Sequence, residues 1–549
     1  RKDVKLVMSS AMSLACRLRA TQVLRRRAVA RGTWRSQHRG LVQSGVASLE
    51  PPKFVKVPII EESQSRLMED MPDLVLGGHA PNHDKQNPYR TVPLDEPIEC
   101  NEASAASEEA YPEPHFGRLE NGVQVIAVDR QGLCSSLGLY VHTGSRFISK
   151  EHAALPHMLE LMAFRGSAHL SHLRTQKTLE QLGAAASCRV GREDVLFQMD
   201  VLREYVPVAL PLMLANVLCP SVLPDEVAEA QQHVIELQQM MEEKPESWVV
   251  ELLHVAAYKD NTLGHALYAT EQDLPLCSPE NIKRFIAEEC TPDRLTVVGV
   301  NVDFQELCKW TARSFAEQGH TIHHASQGQR ELQLAKYTGG EIRVARPNPL
   351  CHLIFGWEVP GGWNGQWLAA VTVLQMFLGG GGSFSTGGPG KGMHTRLYTE
   401  VLNRYHWAES CQASSVMYID SGLLTVYATV MPQFGSQFHN VLAQIFEGVA
   451  KMSNIELERA KNALKSSIHM NLEMRAVMME DMGRQMVLSG KVGTAQEFTR
   501  MVDAITKEDL VEALKVCLKS PVSLVAFGAI EQVSPYEQIA KRFSDVTLP

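Results

Sequence analysis

A unit of about 210 residues is written twice in this chain, and that repetition limits the fold more than any single motif does. Near its start the first copy reads Leu119-Glu-Asn-Gly-Val-Gln-Val-Ile-Ala-Val128, an Asn-Gly turn running into a strand-like apolar stretch. The second copy reads Tyr337-Thr-Gly-Gly-Glu-Ile-Arg-Val-Ala345, the same plan. Gly122 maps to Gly340, Cys134 to Cys351 and Gly138 to Gly356, at offsets of 217–218. The far ends match too. Ser278-Pro-Glu-Asn and Thr506-Lys-Glu-Asp both read as helix N-caps with acids in the first turn. Each opens a helix that leads to a buried-type strand, Leu295–Val300 and Ser523–Phe527, with Gly299 offset from Gly528 by 229. The expected fold class is α+β: two homologous domains in a clamshell arrangement, at 115–315 and 338–549, joined by a polar linker at 316–337. His320, His323 and His324 read as linker residues rather than as ligands.

Composition narrows the function. Residues 1–49 hold 11 Lys/Arg and one acid, leaving 42 basic against 61 acidic residues in the rest, a balance of −19. So acidic a body disfavours nucleic acid and anionic membrane and attracts cationic ligands. Between Met12 and Leu49 there is no acidic residue, and eight arginines lie among Leu, Val, Ala and Ser. That is the composition of an organellar targeting segment, and it lacks the apolar core of a secretory signal. Residues 1–45 are expected to be a mitochondrial presequence, with a basic arm for nucleic acid or lipid as the alternative. Residues 46–114, rich in proline, read as an extended leader. The 11 Cys include no Cys-x-x-Cys pair, in keeping with a reducing compartment such as the mitochondrial matrix. No apolar run approaches the ~18 residues of a membrane-spanning helix.

Leu155-Pro-His-Met-Leu-Glu-Leu-Met-Ala-Phe-Arg-Gly-Ser167 is placed where a helix should run, so that His157, Glu160 and Leu161 share one face. The spacing is that of His-x-x-Glu-His, in which two histidines bind zinc and the glutamate activates the metal-bound water. Here the second histidine is Leu161, which has no lone pair to give. A third ligand would come from a helix about 76 residues on, where Glu236 of His233-Val-Ile-Glu is nearest. His157 and Glu236 fall short of the three protein ligands usual for catalytic zinc, and His152, His169 and His172 have no spacing that completes the set. In the second copy the same positions are Gln375, Leu378 and Gly379. No zinc site is expected in either half.

Residues 379–392 hold eight glycines in fourteen positions: Gly379, Gly380, Gly381, Gly382, Ser383, Phe384, Ser385, Thr386, Gly387, Gly388, Pro389, Gly390, Lys391 and Gly392. Such a stretch can bring its backbone close to a peptide and accommodate many side chains. A surface linker is the bland alternative. A phosphate loop is not indicated, because Lys391 is followed by Gly392 and not by Ser or Thr.

The paired domains, the degenerate His157 motif and the segment from Phe377 to Tyr398 resemble the pitrilysin/insulysin-like zinc peptidases, and among them the mitochondrial processing peptidase. The glycine-rich segment is similar to the loop that marks the α-subunit of that peptidase. The resemblance covers about residues 115–549. It implies a non-catalytic subunit that binds no zinc itself and pairs with a zinc-bearing β-type subunit. It also implies an acidic cavity between the two, and a glycine loop at residues 379–392 that helps to bind and release presequences. Core proteins of respiratory complex III are relatives. A structural core subunit, in contact with other subunits of that complex, is therefore the alternative implied function. Glu242, Glu243 and Glu246 are the acids expected near the cavity, with a solvated helix face as the other reading. Trp357, Trp363, Trp367 and Trp407 read as packing residues.

Overall fold

The computed structural model describes residues 112–149, 152, 154–317, 332–382 and 392–548. The presequence, nearly all of the proline-rich leader, residues 318–331 with their three histidines, residues 383–391 and the Glu242 side chain lie outside the described residues.

The first half supplies strands β1 (His115–Arg118), β2 (Gln124–Val128), β3 (Cys134–Val141), β4 (Ala185–Val190), β5 (Val195–Leu202) and β6 (Leu295–Val300), which form one sheet in the order β1-β2-β6-β3-β5-β4. The second half supplies β7 (Gly340–Ala345), β8 (Cys351–Pro360), β9 (Gly380–Gly382), β10 (Ala408–Met417), β11 (Ser421–Val430) and β12 (Ser523–Gly528), in the order β7-β12-β8-β11-β10-β9. Five strands therefore repeat in order, each set with one parallel pair, β2 with β6 and β7 with β12. The fold is α+β, with two domains built on one plan. Register is not fully repeated: Gly138 lies opposite Val298 while Gly356 lies opposite Ser523, four residues short of the Phe527 that the offset of 229 would place there.

Both faces of each sheet are buried, which explains why the central strands are continuous apolar runs. In β2, Val125 and Ala127 face one core while Ile126 and Val128 face another. The inner core of each domain lies between the sheet and its own helices. The outer face of each sheet is covered by a helix from the opposite half. The Arg475–Ser489 helix lays Met478, Met479 and Met482 on Ile126, Tyr140 and Val298. The Pro245–Tyr258 helix lays Val249, Leu253 and Ala257 on Ile354, Val525 and Phe527. The repeated glycines make this exchange possible. A Cβ on Gly138 would stand 2.1 Å from Met479 Sδ, and one on Gly356 would stand 3.0 Å from Leu253 Cδ2.

Local signals act as the sequence indicates. Ser278 Oγ accepts Asn281 N–H at 3.2 Å, and Thr506 forms a reciprocal capping box with Asp509. An apolar helix spans Leu368–Leu378. Trp357 and Trp407 lie in the second core, with Trp363 and Trp367 packed against its edge. The Phe304–Glu317 helix reaches two residues into the stretch expected to be linker.

Candidate functional site

The Leu155–Met162 helix starts with Pro156 in its first turn, where a missing N–H does no harm. His157 is buried at 2% exposure, its ring edge-on to Tyr268 with centroids 5.3 Å apart. Its Nδ1 accepts the backbone N–H of Ala269 at 3.1 Å. Burial, with a smaller contribution from nearby His233, pushes its pKa down to about 4, so the ring is neutral at physiological pH. In a neutral ring whose Nδ1 is the acceptor, the proton sits on Nε2, the atom a metal would need.

The remaining positions are equally committed. Glu160 Oε2 accepts Val190 N–H at 3.1 Å, at the end of edge strand β4. Leu161 packs half-buried against the core of the first domain. Glu236 faces His233 at 3.5 Å on the Pro224–Glu243 helix, with both side chains more than half exposed. The turn that follows the motif helix is tied to the Pro224–Glu243 helix by Arg165 with Glu229 at 2.5 Å and by Glu226 Oε1, which accepts Gly166 N–H at 3.3 Å. His152 Nδ1 lies 3.0 Å from Ser149 Oγ, while His169 and His172 are exposed. Among the described residues no three His, Cys, Asp or Glu side chains are grouped to hold a metal. The zinc of the peptidase family does not fit these residues: one imidazole is held in the wrong tautomer, the carboxylate is spent on a backbone amide, and one ligand position is leucine. Leu161→His is accordingly expected to add no stoichiometric zinc to the purified chain by plasma mass spectrometry. One zinc per chain in that variant would overturn the tautomer argument.

In the second domain Gln375 takes the place of His157, and its Oε1 accepts from Ser415 Oγ at 2.7 Å in the core. Gly379, at the position of Leu161, closes the Leu368–Leu378 helix in the left-handed region (φ 57°). The glycine-rich segment therefore begins where the second half would have carried its second ligand. Its first part is no loop: Gly380–Gly382 is β9, the outermost strand of the second sheet, paired to Ser410–Gln412. Sequence reasoning missed this strand, because three glycines have low strand propensity and only pairing with β10 holds them extended. It also missed Thr395, whose Oγ1 contacts both Gly380 and Gly392. Glu243 and Glu246 are exposed at the junction of the two long helices of the first domain.

Two similar sheet-and-helix domains, the first with a zinc-motif helix stripped of its ligand set, define a peptidase-like protein of the M16 type. The chain matches the insulinase (peptidase family M16) domain over residues 124–271 and the peptidase M16 inactive domain over residues 277–464. It is 33% identical to the probable mitochondrial-processing peptidase subunit alpha-2, chloroplastic/mitochondrial, of Arabidopsis thaliana, over 77% of this chain and 84% of that one. It is 32% identical to the mitochondrial-processing peptidase subunit alpha of Solanum tuberosum, over 82% of this chain and 90% of the relative. A chain of complex III2 from Candida albicans shares the fold at a TM-score of 0.66 and 18% identity, covering 78% of this chain and 99% of that one. The chain belongs to the mitochondrial-processing peptidase alpha-subunit family.

Proposed function

We propose that the chain is the substrate-recognising, non-catalytic alpha subunit of a mitochondrial processing peptidase in the matrix. In this reading it binds presequences of imported precursors, and a zinc-bearing beta-type partner cleaves them. The observation that carries the reading is the similarity to alpha subunits over most of their length, in a chain whose own motif helix cannot assemble three metal ligands. The acidic balance of residues 50–549 supports it as well, since presequences are basic. So does the glycine-rich segment, whose composition of eight glycines in fourteen residues suits peptides of varied sequence.

The test is cleavage of a fluorescent presequence peptide by the purified chain, alone and mixed with a beta-type partner bearing the intact zinc motif. No cleavage is expected from the chain alone, and chelator-sensitive cleavage is expected from the mixture. Chelator-sensitive cleavage by the chain alone would overturn the non-catalytic role. Silence in both samples, with a partner that cleaves beside another alpha subunit, would overturn the processing role in favour of a purely structural subunit.

A further inference from the structure

The β4–β5 turn and the β10–β11 turn hold equivalent places in the two sheets, and they meet tip to tip. Both oxygens of Glu193 in the first turn accept the Ile419 N–H of the second at 3.1 Å. Glu193 Oε1 and Asp420 Oδ1 reach the same nitrogen, Arg146 Nη1, the latter at 2.7 Å. The connection between the halves is pinned at this point too. Arg146 Nη2 donates to the Gln333 carbonyl at 3.0 Å, and Asp420 Oδ2 accepts the Ala335 N–H at 2.7 Å. Two turns and the strap at residues 332–339 therefore depend on one guanidinium and two carboxylates.

The charges of this cluster do not balance. Arg192, in the same turn as Glu193, gives its charge to Glu251 of the Pro245–Tyr258 helix at 2.7 Å. Asp194 stands by Arg189, which lies closer to Glu480. Three further titratable groups surround the cluster. His265 Nδ1 lies 3.0 Å from the Ser145 carbonyl, His254 Nε2 lies 2.7 Å from Tyr418 Oη, and Glu358 accepts from Ser421 Oγ at 3.2 Å. None of the three brings a permanent positive charge. With both carboxylates ionised, one negative charge is left over in a place where Glu193 and Arg146 are buried. Two carboxylates on one nitrogen resist joint ionisation and take up a proton as a pair. The Asp420 side chain is 14% exposed, which gives that proton a way in and out.

We propose that Glu193 and Asp420 bind a single proton between them, and that this proton latches the two halves of the chain. Bound, it lets both carboxylates share Arg146 and keeps the second turn and the strap in place. Lost, it leaves two negative charges on one guanidinium, and the turn at 418–420 and the strap open locally while both sheets stay folded. The size of the effect follows from Glu193. Burial holds its pKa up at about 7 in the closed form, and exposure to water returns it to the ordinary value near 4.5. Closure is therefore favoured by a proton at low pH and weakens as pH climbs through about 7. The opening constant should rise about tenfold between about pH 6 and pH 8 and level off above that.

The experiment is hydrogen exchange of the full chain by mass spectrometry at about pH 6, 7 and 8, corrected for the intrinsic rate with an unstructured peptide. Peptides spanning residues 332–339 and 417–421 are expected to lose protection about tenfold from about pH 6 to pH 8, while β3, β6 and β8 change by less than about twofold. Glu193→Gln keeps an acceptor for Ile419 and cannot ionise. It should hold both segments at their low-pH protection throughout. Asp420→Asn removes the second charge, so the response should move toward the ordinary carboxylate range and flatten between about pH 6 and 8. That variant decides the matter should Glu193→Gln fail to fold. Equal protection of the wild-type segments at the two extremes would overturn the latch. An unchanged response in Glu193→Gln or in Asp420→Asn would overturn the shared proton and assign the response to another group, such as His254 or His265. Equal acceleration in every strand would overturn a local latch in favour of cooperative unfolding.

Discussion

Arg146→Ala is expected to destabilise the chain by about 3–5 kcal/mol at neutral pH, the usual consequence of stripping one partner from a buried ionic cluster. Arg146 belongs to the first half but ties down the second. Its guanidinium pairs with Glu193 and, at 2.7 Å, with Asp420, and donates to the Gln333 carbonyl at 3.0 Å. Both Glu193 oxygens also accept Ile419 N–H at 3.1 Å. Removal of the guanidinium leaves two carboxylates facing each other where water has little access. The loss should depend on pH, and the sign follows from Glu193. Burial pushes its pKa up to about 7, against the opposing charge of Arg146 and the bond from Ile419. A carboxyl whose folded pKa is raised contributes stability that is fully present below its ordinary value near 4.5 and is lost as pH climbs through about 7. Without Arg146 the pKa rises further, so the variant loses more on the way to about pH 8 than the wild type does. Near pH 5 Glu193 carries a proton and needs no guanidinium, and the gap narrows; Asp420 keeps it from closing. Urea unfolding at the two pH values measures this, with Arg146→Ala/Glu193→Gln expected to recover part of the loss and to flatten its pH dependence. A gap that is the same at both pH values, or smaller than about 1 kcal/mol, would refute the account.

The repeat, the buried strands and the capped helices were legible because each depends on neighbours in sequence. Leu295–Val300 reads as a strand from its own six residues, and Thr506 and Asp509 cap each other across one turn. The exchange of helices between halves was not legible. Gly138 and Gly356 could be matched, but periodicity cannot say that Met479 and Leu253 are the atoms filling the space above them. The burial of the β4–β5 turn was not legible either. Arg189-Val-Gly-Arg-Glu-Asp194 has the composition of a solvated hairpin tip, yet Arg192 and Glu193 are buried at 4% and 3% exposure. Their partners Glu251 and Ile419 lie 59 and 226 residues away. In the motif helix the loss at Leu161 could be read directly. The second obstacle, Ala269 N–H on His157 Nδ1, comes from 112 residues downstream and leaves no trace in the motif.

Glu480→Leu is expected to cost about 3–5 kcal/mol through the same physics at the other crossing between halves. Glu480 sits on the Arg475–Ser489 helix at 1% exposure, paired with Arg189 of β4 at 3.1 Å and with Arg484 one turn on at 2.5 Å. Burial raises its pKa, and the two guanidinium groups oppose that rise. Leucine would leave both arginines without this carboxylate; Asp194 stands 3.6 Å from Arg189, and Arg484 keeps the field of Asp481. The bond that Tyr140 Oη donates to the Glu480 backbone carbonyl, 2.8 Å, does not depend on the Glu480 side chain and should survive. Loosening is therefore expected along the ionic edge of the helix before its methionine face separates from the sheet. Hydrogen exchange should quicken within Arg475–Ser489 and across β3 and β6, the strands beneath it, while the Pro245–Tyr258 helix and the second sheet keep their protection. Glu480→Gln, which keeps an acceptor and removes the charge, should lose less. Uniform acceleration across both domains would mean that the helix is not a separable clamp and that the two halves unfold as one cooperative body.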